Sequence, residues 1–502
     1  MTNVLEKKQY YTEKYRPQFH FTPESQWMND PNGMVYFDGE YHLFYQYHPN
    51  GTTWGPMHWG HAVSQDLIHW EHLPIGLAPD EHGTIFSGSA VVDWNDTSGF
   101  FDGKAGLVAI FTHADTYPDS DRPRQRQSLA YSKDNGRTWV KYAGNPVLQE
   151  ESITDFRDPK VFWHRETSQW VMVLAAGQVI RFYTSKNLVS WEFASEFGEG
   201  HGSHKGVWEC PDLFELPVDG DENQKKWVLI VSIGSHEKYI EGSRTQYFIG
   251  DFDGLTFTNL QAPETTLWID HGRDNYAGVS WSDVPAEDGR RMYIGWMSNW
   301  QYATITPTQE WRSAMTIPRV IELRNTEEGV RLVQNPVHEL QGIRGDKYSI
   351  ENEVVRPGGE NLLGGLISNT FEIIATFDMV GIEGTATEFG FKVCKGEDEA
   401  TIVGYDVENQ QLFVDRTLSG ETDFHQHFAA KHACKLVIRD EKISLHVLVD
   451  TSSVEVFGND GESVITDLIF PKEESKQIEL YAKNGEVQLQ KLELYKLKSV
   501  WR

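Results

Sequence analysis

Three acidic residues sit where a carboxyl group could be presented for chemistry: Asp30 in WMNDPNG, Asp158 in FRDPK and Glu209 in VWECPD. Each lies in a turn-like context beside aromatics or arginine. Asp30 and Asp158 directly precede a proline, and Glu209 stands two residues before one. The residue before proline is biased toward extended backbone, which suits a carboxylate projecting from the end of a strand. Carboxyls brought together can divide acid–base or nucleophilic work, one staying ionised and the other protonated. Taken singly, each is equally a turn former or a strand-end cap, because Asx-Pro turns are common.

Other residues with chemical potential are less informative. His58 and His61, His69 and His72, and His201 and His204 are each three apart. In strands and loops that spacing does not put two imidazoles on one face, and no helical HExxH or Cys pair accompanies them, so no metal or cofactor is expected. The three cysteines, Cys210, Cys394 and Cys434, are odd in number and widely spaced, which excludes a disulfide framework and fits a reducing compartment.

The elements that must position the carboxyls are β-strands. Short runs rich in Val, Ile, Tyr, Phe and Trp, such as GMVYFDGEYHLFYQYHP (Gly33 to Pro49) and KWVLIVSIG (Lys226 to Gly234), are separated by Gly, Asp, Asn and Pro. Helical periodicity sustained over three turns is hard to find, so the fold is all-β. SQDLIHW (Ser64 to Trp70), SKDNGRTW (Ser132 to Trp139) and SKNLVSW (Ser185 to Trp191) recur after strand-like stretches, with DGLTF (Asp253 to Phe257) as a decayed fourth copy. Their separation of roughly 50 to 70 residues is near the size of a four-stranded propeller blade. Past about residue 340 tryptophan nearly vanishes and strands such as TFDMVGIE, EFGFKVCK and ISLHVLVD alternate apolar and polar, as in a β-sandwich. The expected division is a propeller over 1–342, a linker over 343–358 and a sandwich over 359–502.

With 502 residues, 39% hydrophobic and 17 Trp, the chain is globular and long enough for two domains. A formal charge of -29 repels phosphate backbones and anionic lipid, and the one short basic run, DRPRQRQ, is preceded by Asp119. Neither a nucleic-acid nor a membrane partner is expected. The N-terminus lacks an apolar signal core, and no apolar run approaches the ~18 residues of a membrane span, so a cytoplasmic protein is expected.

The motifs WMNDPNG, FYQYHP, WGPMHWGHAVSQDLIHW, IFSGSAV, FRDPK, WECPD, DNYAGVSW and GWMSNWQYA, together with LVDTSSVEVFGNDG near the C-terminus, are spread over almost the whole chain. In content and order they resemble glycoside hydrolase family 32, the invertases, levanases and exo-inulinases. The resemblance implies a five-bladed β-propeller with the active site in its funnel, followed by a β-sandwich. It implies Asp30 as nucleophile, Glu209 as general acid/base, and Asp158 hydrogen-bonding fructose hydroxyls alongside Arg157. By the same transfer, Asn29 and Gln46 bond the fructose ring, Trp27, Trp54, Phe86 and Trp296 form apolar walls, and Ser87 contributes a hydroxyl. Read without the family, any one of these aromatics is as well placed in a blade core.

The implied activity is that of a retaining β-fructofuranosidase acting on terminal fructose of sucrose, fructo-oligosaccharides or fructans, with fructosyl transfer open to any covalent intermediate. Cleavage passes through an oxocarbenium-like state, so retaining enzymes hold the two carboxyls about 5 to 5.5 Å apart. Neighbouring carboxylates and an apolar wall are expected to raise Glu209 relative to Asp30. A non-catalytic sugar-binding protein on the same scaffold is the rival class, and retention of all three acids favours an enzyme. Propeller glycosidases acting on arabinans or xylans do not resemble the chain at WMNDPNG together with WECPD. Sucrose, sucrose 6-phosphate, inulin and levan remain open as substrates, as do monomer and homodimer.

Overall fold

The computed structural model describes residues 10–379 and 385–501. The last four residues of the TFDMVGIE run, 380–383, lie outside the described residues. Five antiparallel four-stranded units follow one another along the chain. Their innermost strands are Gln26–Phe37 in blade I, Thr84–Asp93 in blade II, Phe156–His164 in blade III, Trp208–Val218 in blade IV and Tyr276–Ser280 in blade V. Each packs against the next in cyclic order, and strand V returns to strand I, so the units form a closed wheel. The seam is fastened twice: Tyr36 N–H donates to Ser282 O at 2.9 Å, and Trp311–Arg312 pairs in parallel with Gln26–Trp27.

The repeated turn occupies the same place in four blades, between the third and outermost strands. Its logic is local. Asp66, Asp134, Asn187 and Asp253 each accept backbone N–H groups two to four residues on. Leu67, Gly136, Leu188 and Gly254 follow with positive φ. In the first three the tryptophan folds back, its indole N–H donating to the carbonyl of Leu67, Gly136 or Leu188 at 2.8–3.0 Å. The recurrence is therefore structural, one turn per blade. Apolar clusters between neighbouring blades fill the wheel.

The second unit is a sandwich of a six-stranded and a five-stranded sheet over one apolar core. The expected linker 343–358 is corrected here. It holds a twelve-residue strand, Arg344–Val355, at the edge of the six-stranded sheet, paired with Val487–Leu497. Its residues are mostly solvent-facing, and that charged edge character gave it the look of a linker. The two units are joined by buried ion pairs. Arg319 of blade V meets Glu455 at 2.5 Å, Arg416 of the sandwich meets Asp274 at 2.6 Å, and His20 bonds both Asp450 and Glu455.

Candidate active site

All five inner strands carry a β-bulge at the same level, near their N-terminal ends. The register slips between Met28 and Pro31, Ile85 and Gly88, Arg157 and Lys160, Glu209 and Asp212, and Tyr276 and Val279. A bulge bends a strand and re-aims its side chains. Five at one end of a wheel converge on the axis. The residues in or bordering them include Asn29, Asp30, Phe86, Ser87, Arg157, Asp158, Glu209, Cys210 and Tyr276.

The three acids predicted from sequence come together here. Asp30 Oδ2 accepts from Ser87 Oγ at 2.7 Å and faces Cys210 Sγ at 3.5 Å, while its Oδ1 accepts from Asn29 Nδ2 at 3.0 Å. Asp158 Oδ2 accepts from the Cys210 N–H at 2.9 Å and lies 3.5 Å from the same sulfur. The Cys210 thiol thus stands between the two aspartates, one residue from Glu209. Glu209 Oε1 accepts from Arg157 Nη2 at 2.9 Å and Nε at 3.2 Å, and its Oε2 accepts from the Tyr276 hydroxyl. Arg157 is oriented by Asp155 at 2.6 Å and Gln125 at 3.1 Å.

Extended backbone was expected at the pre-proline acids, and Asp158 departs from it. Its φ is +66°, and Cys210, which also precedes a proline, has φ +46°. Left-handed backbone is strained for such residues and is held by the bulges and the ring around them. The same device at Ala277, φ +53°, turns strand V behind Tyr276.

Burial pushes the Asp30 carboxyl above its ordinary value, with Glu209 adding to the effect and Ser87, Asn29 and Cys210 opposing it. Burial likewise lifts Asp158 to about 7, against Arg157 and with the help of Glu209 and Asp30. The structure thus puts an upward push on each of the two aspartates. Three carboxyls beside one arginine in a shielded site cannot all be comfortably ionised, so the cluster retains a proton near neutrality.

The apolar wall differs from expectation in two places. Trp54, 48% exposed, meets half-buried Phe86 edge-on at 6.0 Å and stands at the open end. Trp27 and Trp296 have no exposed surface and pack on each other and on Trp300. They support the site from behind: the Trp27 indole N–H donates to Asn29 Oδ1 at 2.7 Å, which fixes the amide that bonds Asp30. Gln46 is buried with its Nε2 unpartnered, a donor waiting for an acceptor.

Sequence reasoning passed over Tyr276 and Cys210. Both lie inside motifs that were noticed, DNYAGVSW and WECPD, but neither residue type announces a carboxylate partner. Among the described residues no group of three or more possible metal ligands gathers, and His61 is buried, stacked on Phe44 at 3.9 Å and bonded to His42.

Residues 20–336 match the glycosyl hydrolases family 32 N-terminal domain, and residues 339–496 match the family's C-terminal domain. A levanase of Bacillus subtilis (strain 168) is 58% identical over 495 residues, covering 98% of this chain and 72% of its own length. Among solved structures, an exo-inulinase from Aspergillus awamori is 39% identical with a TM-score of 0.90, over 98% of this chain and 100% of that one. A β-fructofuranosidase from Schwanniomyces occidentalis, complexed with fructosyl-erythritol, is 34% identical with a TM-score of 0.87, over 97% and 99% of the two chains.

Proposed function

The chain belongs to glycoside hydrolase family 32, and on that premise we propose that it hydrolyses terminal fructosyl residues of fructans or sucrose with Asp30 as nucleophile and Glu209 as general acid/base. The observation that carries the assignment is the convergence of these two carboxyls, 179 residues apart in sequence (209 − 30), at one end of the wheel, where Asp30 faces the thiol of Cys210, the residue that follows Glu209.

Asp30 is steadied by Ser87 and Asn29, which leave a face of the carboxylate for the anomeric carbon. Glu209 delivers its proton to the leaving oxygen, then takes one from the water that frees the sugar. Arg157 and Tyr276 hold its two oxygens in place through both steps. Asp158 and Gln46 are placed to bond fructose hydroxyls as positive charge develops on the ring, with Trp54 and Phe86 as the apolar wall. The double displacement retains configuration, and a sugar hydroxyl in place of water would give fructosyl transfer.

Incubation with sucrose, sucrose 6-phosphate, inulin and levan, followed by chromatography of the products, tests the reading. Free fructose as the first product from a chain end is expected. Its first-formed anomer, followed by NMR, is β for retention. Long internal fragments, or the α anomer, would overturn exo action or retention respectively.

A further inference from the structure

The inner strands have a second end. Two residues beyond Asp158, Lys160 is buried and donates to Ser280 O at 2.6 Å. Asp212, with no exposed surface, accepts from the N–H and hydroxyl of Ser280 at 2.6 and 2.7 Å. This polar plug closes the wheel's axis beneath the active site and is the floor of a cavity of about 850 Å³ opening on the opposite face. Asp212 Oδ1 accepts no hydrogen bond, and its nearest cation is the Lys160 ammonium at 3.4 Å. A buried carboxylate oxygen left this way has capacity for a further donor.

The walls have the chemistry of a sugar site. Trp94 is 58% exposed, its indole fixed by Asp283 Oδ1 at 2.9 Å, and Trp163 also lines the cavity. The Trp94 ring, which meets Phe37 at 5.9 Å, offers a flat apolar face to the C–H face of a pyranose or furanose. Acidic and basic side chains line the cavity in near balance. Within that lining Lys160 lies 3.4 Å from Asp212 and Lys225 lies 3.7 Å from Glu215, so opposite charges offset one another inside the cavity. Balanced charge, fixed donors and acceptors, and aromatic faces favour an uncharged polyol over a phosphate or an ammonium ion.

We propose that this cavity is a second, non-catalytic site for a neutral fructan chain, placed on the face opposite the active site. The proposal rests on the functional reading above. Its use is avidity: a polymer particle held at one face raises the local concentration of chain ends at the other, with no change in the chemical step.

Two rim variants test it. Trp94→Ala removes the ring, and Ala286→Trp, at an exposed rim position, obstructs the mouth while leaving native contacts in place. In an Asp30→Asn background, calorimetric titration with a fructo-oligosaccharide is expected to show two sites. Adding either rim change should leave one. In the active enzyme, Trp94→Ala should raise KM for levan or inulin roughly tenfold, the scale of one lost aromatic anchor, and leave sucrose turnover unchanged. A single site in Asp30→Asn, or two sites indifferent to both rim changes, overturns the proposal. Failure of the functional reading looks different: the unmodified enzyme releases no fructose from any substrate, or Asp30→Asn still does.

Discussion

The hydroxyl of Tyr276 donates to Oε2 of Glu209 across the junction of blades IV and V, while Arg157 of blade III holds Oε1. Glu209 is therefore fixed from both neighbouring blades before substrate arrives. Removing one of these bonds by Tyr276→Phe loses a charge-assisted contact worth about 1.5–3 kcal/mol. The expected result is a fall in kcat of roughly 10- to 100-fold on sucrose, with KM within about twofold, because the lost bond orients the acid and does not bind sugar. An unchanged kcat in steady-state assays would remove Tyr276 from the mechanism.

That bond also marks where the sequence stops being legible. Asp30, Asp158 and Glu209 are candidates from their turn-like settings, but only the family resemblance of WMNDPNG, FRDPK and WECPD sets them apart from common turn formers, while the repeated Asp/Asn-to-Trp turn points to the blades. Tyr276 is not a candidate, since its partner lies 67 residues away and their meeting depends on the angle between two blades. The family resemblance alone puts Trp27 and Trp296 in the wall, because a pocket and a core ask for the same residue type and only burial separates the two roles. The edge strand Arg344–Val355 reads as a linker for a different reason, since only Ile350 and Val355 are buried and so few apolar positions show no alternation.

Asp30→Asn and Glu209→Gln preserve shape and remove the two carboxylates that the mechanism uses. Each should lower kcat on sucrose by about 10³-fold or more. They should differ in one respect. With a fructoside whose leaving group needs no protonation, the first step of Glu209→Gln recovers, and that of Asp30→Asn does not. Equal behaviour on such a substrate would contradict the division of roles.

Gln46 is buried and its Nε2 has no acceptor among the described residues. If that amide binds a fructose hydroxyl, Gln46→Ala should raise KM for sucrose about tenfold, the cost of one buried hydrogen bond. Thermal stability should change little, because no protein acceptor is orphaned by the loss of Nε2. A lowered melting temperature with unaltered KM would make Gln46 structural.

His20 ties the chain's N-terminal segment to the sandwich through Asp450 at 2.8 Å and Glu455 at 2.7 Å, with Arg319 also on Glu455. Burial works against its protonation, yet the bonds from the two carboxylates outweigh it and lift the imidazole to about 9. A folded-state value above the unfolded 6.5 contributes stability in full below pH 6.5, and that contribution is lost as pH rises through about 9. His20→Gln should therefore lower the melting temperature at pH 6 by several degrees and by much less at pH 9.5. A difference independent of pH, measured by calorimetry at matched ionic strength, would show that the imidazolium is not what holds the joint.

Asp158 is shifted in the same direction as His20, but its favoured folded form is the neutral one. Its carboxyl is buried, and its folded value of about 7 lies above the ordinary 3.8. Between those values the folded state binds a proton that the unfolded state does not, so stability falls as pH rises from about 4 to about 7 and the cost is complete above that. Asparagine keeps the oxygen that accepts from the Cys210 N–H and tolerates the left-handed backbone at φ +66°. Asp158→Asn should consequently melt at a higher temperature than the unmodified enzyme at pH 7.5, with the gap narrowing toward pH 4. The same change should cost roughly 10²-fold or more in kcat/KM, since an ionised acceptor for the fructose hydroxyls is replaced by a neutral amide. A variant less stable than its parent at pH 7.5 would mean that the carboxylate's interactions with Arg157 and Cys210 outweigh its burial, and the balance of forces assigned to the site would have to be reversed.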